Sequence, residues 1–291
     1  MKVVLLGGYP DFVIKGIKRK VKIVHLESPG KKGVENAEVL VVTPRIKVDK
    51  KFLEMAKSLK ILIAFSHGYE HVDTGTLKER GIKFHTIPGS TASVAELTFG
   101  LMISVLRKIP EQDRRMKRGE WKREFGNELY GKTLGVIGLG PIGMDVCKIA
   151  KSFGMNVVAC DPNKLVKGKS NVKMISLDRL LKISDVVSIH AHLDRKTKHM
   201  IGDKQLKSMK RSSILINTAR GGIVDSRVLY KSLKSGRIRG AGLDVFEKEP
   251  VGKKKLVGLP NVVSTPHAGA NTIEGEDRKI KMLFDILKKE T

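Results

Sequence analysis

Short apolar-rich runs, three to five residues long, recur at residues 3–6, 21–24, 39–42, 61–65, 134–137, 157–159, 186–189, 214–216, 241–245 and 262–264, with helically spaced apolar residues between them. A strand that is apolar along its length has no face to show to water, so it must be covered on both sides. Strands alternating with helices achieve this by winding helices over both faces of a parallel sheet. The pattern therefore predicts an α/β chain with doubly wound parallel sheets. One long helical stretch, SVAELTFGLMISVLRKIPEQDRRMKRG at residues 93–119, separates the first four runs from the last six and favours two sheets over one. Pro110 within it removes a backbone donor and is expected to break or kink the helix. A domain crossing is expected near residues 93–97, and the last helical segment, from Asn271 onward, is expected to return to the first domain.

The charge balance is unusual: 56 Lys and Arg against 30 Asp and Glu, a formal net of +26. Such an excess points to nucleic acid or to anionic ligands. The cations are spread along the chain, however, at residues 15–22, 114–123, 164–173 and 253–255, and aromatics make up only 5% of the sequence. That leaves no stacking platform for single strands, and no nucleic-acid-binding motif is present. No specific nucleic-acid partner is expected; a basic surface that attracts anionic substrates is. The most apolar stretch, residues 97–106, is too short to cross a bilayer, and the opening MKVVLLGGYP is interrupted by glycines and a proline. No membrane association and a cytoplasmic location are expected. Cys147 and Cys160 have no ligand-like spacing, and the pairs His67/His71 and His190/His192 lack a third ligand, so no metal is expected.

After the run at 134–137 comes GLGPIG, residues 138–143, followed by a helical pattern to Phe153. Gly138, Gly140 and Gly143 fit the dinucleotide fingerprint: a tight turn, a close backbone approach to a pyrophosphate, and close helix–strand packing. The helix that opens at Pro141 and Ile142 would present the free backbone N–H groups of its first turn to the phosphates, Pro141 itself having none. The next strand ends at Asp161, 18 residues beyond Gly143, where a carboxylate accepts from the adenosine ribose. A carboxylate there repels a 2′-phosphate, which favours NAD over NADP, although Lys164 is close by in sequence.

Further along, SSILINTARGGIVD places Arg220 where a buried strand gives way to a glycine turn. GLDVFEKEP and STPHAG add Asp244, Glu249 and His267. Arg220 and His267 each follow a strand of the second sheet, at the edge where open α/β sheets bind ligands.

Together with GYEHVD, GSTASVAELTFGLM, RGEW and ELYGKTLGVIGLGPIG, these stretches run nearly end to end, and the chain resembles the D-isomer-specific 2-hydroxyacid dehydrogenases. The stretches GSTASVAELTFGLM and GKTLGVIGLG are most similar to short phosphoglycerate dehydrogenases and glyoxylate or hydroxypyruvate reductases. The resemblance implies a Rossmann cofactor domain at 96–267 and a flavodoxin-like substrate domain at 1–95 with 268–291, with a cleft between them. It implies NAD as cofactor, a small anionic 2-hydroxy or 2-oxo acid as substrate, and a homodimer formed through residues 98–118. Arg220 would pair with the substrate carboxylate and polarise the 2-oxo group, and His267 would exchange the proton with the substrate oxygen. Glu249 would hold the other ring nitrogen, and Asp244 would bond the nicotinamide carboxamide. Thr218 and Ala219 would line the nicotinamide pocket, with His190 near the ribose or adenine. His67, Gly68 and Tyr69 would meet the substrate carboxylate through backbone amides.

Four positions qualify the resemblance. His192 stands where a proline is common, and Pro141 where a basic residue is frequent. Thr43 stands where phosphoglycerate enzymes tend to have an arginine, whereas Glu249, a glutamine in formate dehydrogenases, points to the hydroxyacid branch. A competing reading is an NADH-sensing, corepressor-like binding protein; the presence of Arg220, Glu249 and His267 together argues against it, since binding alone needs no proton donor.

Overall fold

Parallel strands account for both sheets of the computed structural model, which describes residues 2–66, 68–162, 171–252 and 255–290. The chain divides into two compact units, Met1–Ser90 with Asn271–Thr291, and Thr91–Ala270. The sequence placed these crossings near residues 95 and 267.

The first unit contains β1 (Val3–Leu6), β2 (Ile23–Leu26), β3 (Val39–Val42), β4 (Ile61–Ala64) and β5 (Lys83–Thr86), in the order β2-β1-β3-β4-β5. This is the flavodoxin-like order. Its helices are α1 (Asp11–Lys18), α2 (Lys31–Val34), α3 (Lys50–Met55), α4 (Thr74–Glu79) and α11 (Ile273–Glu290). Asp49 and Asp73 cap α3 and α4 by accepting from Phe52 N and Thr76 N, each at 3.0 Å. Ile280, Leu283, Phe284 and Leu287 of α11 share a core with Leu5 of β1 and Ile17 of α1.

The second unit begins with α5 (Thr91–Arg107) and α6 (Ile109–Lys117), which are separated at Lys108. That residue takes the left-handed conformation, φ 53°, and Pro110 sits in the first turn of α6. The proline thus starts a new helix rather than kinking an old one. The sheet comprises β6 (Thr133–Ile137), β7 (Asn156–Cys160), β8 (Lys173–Met174), β9 (Val186–Ile189), β10 (Ile214–Asn217), β11 (Gly240–Leu243) and β12 (Val262–Ser264). Helices α7 (Pro141–Ser152), α8 (Leu177–Ile183), α9 (Asp203–Ser208) and α10 (Ser226–Lys234) wind over it. The order β12-β11-β10-β9-β6-β7-β8 is a Rossmann sheet with one added strand.

The interior strands β9, β10 and β11 are buried at every residue, as continuous apolar runs require. Strands β5 and β8 carry no such run. They lie at sheet edges with part-exposed residues such as Lys83 and Lys173, and so leave no apolar signature. The apolar signal at 21–24 also starts two residues before β2 itself. Among the described residues no helix is long and apolar enough to cross a membrane.

Asp185 ties together the entry edge of the sheet. Its backbone N–H donates to Thr133 O at 2.8 Å, and its carbonyl accepts from Ile214 N at 3.1 Å. Its carboxylate accepts from Thr133 N and Lys210 Nζ, each at 2.9 Å. Partial burial alone would raise its pKa, but the Thr133 N–H and the Lys210 ammonium outweigh it and hold the carboxyl below its usual range. A carboxyl with a depressed folded pKa contributes stability above its unfolded value and loses it as pH falls through the folded one. Asp185→Asn should therefore lower the Tm by roughly 2–5 °C at pH 7. The gap between variant and parent should close as thermal melts are repeated down to pH 3.

Candidate active site

Strand β10 ends at Asn217, which is 1% exposed. Its side chain staples the turn that follows: Asn217 Nδ2 donates to Arg220 O at 3.0 Å, and Asn217 Oδ1 accepts from Ala219 N at 3.1 Å. Thr218 Oγ1 lies 3.0 Å from Thr98 Oγ1 of α5. The Arg220 guanidinium donates to Ala219 O at 2.8 Å. Gly221 has a structural task of its own, since a Cβ there would lie 1.9 Å from the Phe246 carbonyl carbon. The glycine lets the Arg220 turn press against the backbone of residues 246–247.

The segment after β11 brings the second half. Asp244, 1% exposed, accepts from Thr265 Oγ1 at 2.5 Å, Ala268 N at 2.7 Å and Gly269 N at 2.9 Å. Its carbonyl accepts from His267 N at 2.8 Å. These bonds hold His267 in a left-handed conformation, φ 55°, that a non-glycine residue adopts only when its surroundings over-determine it. The imidazole is thereby aimed at Glu249, with Nδ1 2.7 Å from Glu249 Oε2. Glu249 Oε1 accepts from Phe246 N at 2.9 Å, which fixes the carboxylate. Arg220, Glu249 and His267 line one groove of about 650 Å³, with Leu193 and Phe246 on its apolar side.

At the carboxyl end of β6 the glycine-rich turn is built as a cradle. Gly138 has φ 93° and a Cβ there would meet Ala191 N and the His190 carbonyl at 2.7 Å, while a Cβ on Gly143 would lie 2.1 Å from Gly138 O. Above Gly140 the space is open within 4 Å. Pro141 and Ile142 open α7, and Asp161 Oδ2 accepts from Leu139 N at 2.7 Å.

A family model described as "D-isomer specific 2-hydroxyacid dehydrogenase, NAD binding domain" matches residues 99–269. This chain belongs to that family. It is 42% identical over 262 residues to a hydroxypyruvate reductase of Thermotoga maritima, a match covering 88% of this chain and 85% of the relative. It is 44% identical over 262 residues to a D-3-phosphoglycerate dehydrogenase of Methanocaldococcus jannaschii, a match covering 88% of this chain but spanning only half the length of that relative. Among solved structures, D-lactate dehydrogenase from Aquifex aeolicus complexed with NAD and lactic acid superposes with a TM-score of 0.86. The two are 31% identical, over 98% of this chain and 94% of that one. The second unit is thus the NAD-binding domain of a D-2-hydroxyacid dehydrogenase, an oxidoreductase.

The glycine turn of this dehydrogenase fits its cofactor on its own geometry. Gly138 and Gly143 fold the turn so tightly that side chains are excluded, and the open face over Gly140 leads to the N-terminus of α7. His190 lies just past β9, with its Nε2 2.8 Å from Ser188 Oγ; burial pushes the ring down to about 3, so it is neutral at pH 7. Gly68 and Tyr69 lie in the first unit, on the segment after β4. Ser66 Oγ donates to Gly68 O at 2.7 Å, and the half-exposed Tyr69 ring packs edge-on against Phe84 at 5.7 Å. His67 and Lys164 lie outside the described residues. Among the described residues no three His, Cys, Asp or Glu side chains group as a metal site would require.

Sequence reasoning missed Asn217 as the staple of the Arg220 turn and Asp244 as the anchor of the His267 loop. A buried polar residue at the end of an apolar run was the available signal. The cradle makes a direct expectation. Gly143→Ala forces α7 away from Gly138, and should weaken NADH binding by roughly tenfold or more, measured by quenching of protein fluorescence.

Proposed function

We propose that this dehydrogenase interconverts a two- or three-carbon D-2-hydroxy acid and its 2-oxo acid: glycolate and glyoxylate, glycerate and hydroxypyruvate, or 3-phosphoglycerate and its oxo form. The observation that carries the reading is the 2.7 Å contact of His267 Nδ1 with Glu249 Oε2, in the same groove as Arg220. The hydroxypyruvate reductase and phosphoglycerate dehydrogenase relatives support the substrate range.

An ionised Glu249 can only accept, so the bonded Nδ1 carries a proton and Nε2 is the ring atom left to work on substrate. During reduction His267 donates from Nε2 to the developing alkoxide, while Glu249 holds the ring in place through Nδ1. In the reverse direction Nε2 takes the hydroxyl proton. Arg220 pairs its planar fork with the substrate carboxylate and draws electron density from the 2-oxo group. In the first unit, the backbone amides of Gly68 and Tyr69 are the proposed anion contacts.

NAD would be held by Gly138, Gly140, Pro141, Ile142 and Gly143 at its pyrophosphate, by Asp161 at the adenosine ribose and with His190 nearby. Thr218, Ala219 and Asp244 would hold its nicotinamide, which supplies the hydride when bound.

His267→Ala should lower kcat for glyoxylate or hydroxypyruvate reduction by about 10²–10⁴-fold. Glu249→Gln should lower it less, and Arg220→Gln should act mainly on KM. NADH affinity should be unchanged in all three; a His267→Ala enzyme with full turnover would overturn the assignment.

The same reading includes a homodimer. The apolar residues Phe99, Leu101, Met102 and Leu106 of α5 pack into the core of their own unit, so the surface proposed for the partner moves from residues 98–118 to Trp121, Phe125 and Tyr130 beyond α6, which are 78%, 98% and 76% exposed. A second copy covering these rings would remove a costly apolar surface. A Trp121→Ser/Phe125→Ser double variant should elute as a monomer in size-exclusion chromatography with light scattering, against a dimeric parent.

A further inference from the structure

Besides Arg220 and His267, the groove is lined by Asp194, Arg195, Lys198, His199 and Glu247. Its carboxylates are already engaged. Asp194 Oδ1 accepts from Lys196 N at 2.7 Å and Thr197 N at 2.9 Å, closing its own turn. Glu247 Oε1 accepts from Ser226 N at 2.7 Å and lies 3.5 Å from His199 Nε2. Glu249 holds His267 and Phe246 N. By contrast, neither Arg195 nor Lys198 has an ion-pair partner among the described residues, and both are exposed. The groove therefore carries two cations, Arg195 and Lys198, that no carboxylate meets at ion-pair distance among the described residues.

Those cations stand on a fixed frame. Thr197 Oγ1 donates to His192 O at 2.6 Å and accepts from Asp194 N at 2.8 Å, while Lys198 N donates to Asp194 O at 2.9 Å. The turn is then tied to the glycine turn after Arg220, since His199 N donates to Gly222 O at 2.9 Å. A turn whose backbone is bonded at both ends leaves only the two side chains to be ordered when an anion binds. Apolar Leu193 and Phe246 between the two turns lower the local dielectric and strengthen any charge pairing there.

We propose that Arg195 and Lys198 form a subsite for a second anionic group on the substrate, so that the enzyme favours a 2-oxo acid bearing a further carboxylate or phosphate. This rests on the assignment of Arg220 and His267 to the 2-oxo acid end. Arg220 takes one negative charge, and the two cations on the neighbouring turn take the other. Glyoxylate, with a single anionic group, would use only the first.

The test compares the parent with Arg195→Gln/Lys198→Gln under saturating NADH, using glyoxylate, hydroxypyruvate, oxaloacetate and 3-phosphohydroxypyruvate. The double variant should lose about 10- to 100-fold in kcat/KM on the doubly anionic substrates, mainly through KM, and less than about twofold on glyoxylate. Oxaloacetate against 3-phosphohydroxypyruvate tells which anion is preferred. Equal losses on all four substrates, or none on any, would overturn the subsite. Calorimetric binding of 3-phosphoglycerate to the NADH complex, in which it cannot be oxidised, reads the subsite without turnover. Weaker binding in the double variant supports it, and unchanged binding overturns it. Full activity of His267→Ala would instead sink the catalytic assignment, a separate outcome.

Discussion

A strand such as β10, buried along Ile214 to Asn217, offers no face on which a polar side chain could meet water. Strands β1, β3, β4, β9 and β11 are confined in the same way, and helices close over both sides. Groups that do chemistry can therefore stand only where strands end. In the second unit Gly138, His190, Arg220 and Asp244 all follow carboxyl ends of parallel strands, and the glycine turn lies where the sheet order reverses, between β6 and β9. The arrangement of the site is a consequence of how the sheet is covered.

Asp244 extends that constraint by one shell. Burying a carboxylate is costly unless its oxygens are satisfied, and here Thr265 Oγ1, Ala268 N and Gly269 N satisfy them. The same bonds hold the left-handed backbone at His267 and aim its ring at Glu249. The contact of His267 with Glu249 thus depends on a buried carboxylate, Asp244. Glu249 is fixed in turn through Phe246 N, in the segment on which Gly221 packs. The Arg220 turn and the His267 loop are braced against one another within a single unit.

Much of this was legible in the sequence. The unbroken apolar runs revealed the interior strands, because two-sided burial leaves a mark at every position. GLGPIG and Asp161 revealed the cofactor turn, since only glycine permits such close backbone contacts. Resemblance singled out Arg220, Glu249 and His267, and strand-end placement the first and last of them; the fold brings the three to one groove. The edge strands β5 and β8 were not, because half-buried strands with lysines carry no apolar run. Nor were the brackets Asn217 and Asp244 provide, since these depend on partners brought close only by folding. Nor was the reason for Gly221, whose Cβ would collide with the backbone at Phe246.

The first unit draws its core from both ends of the chain: Val3 and Leu5 of β1 pack in one cluster with Ile280, Leu283 and Leu287 of α11. The second unit is one continuous stretch, Thr91–Ala270. During synthesis, all seven strands of the NAD-binding domain emerge before the helix that completes the other domain. Until α11 arrives, the apolar faces of β1 and α1 that it will cover remain open to solvent or to chaperones. The order in which the two cores can close is therefore set by connectivity, with the cofactor domain able to finish first although it begins second.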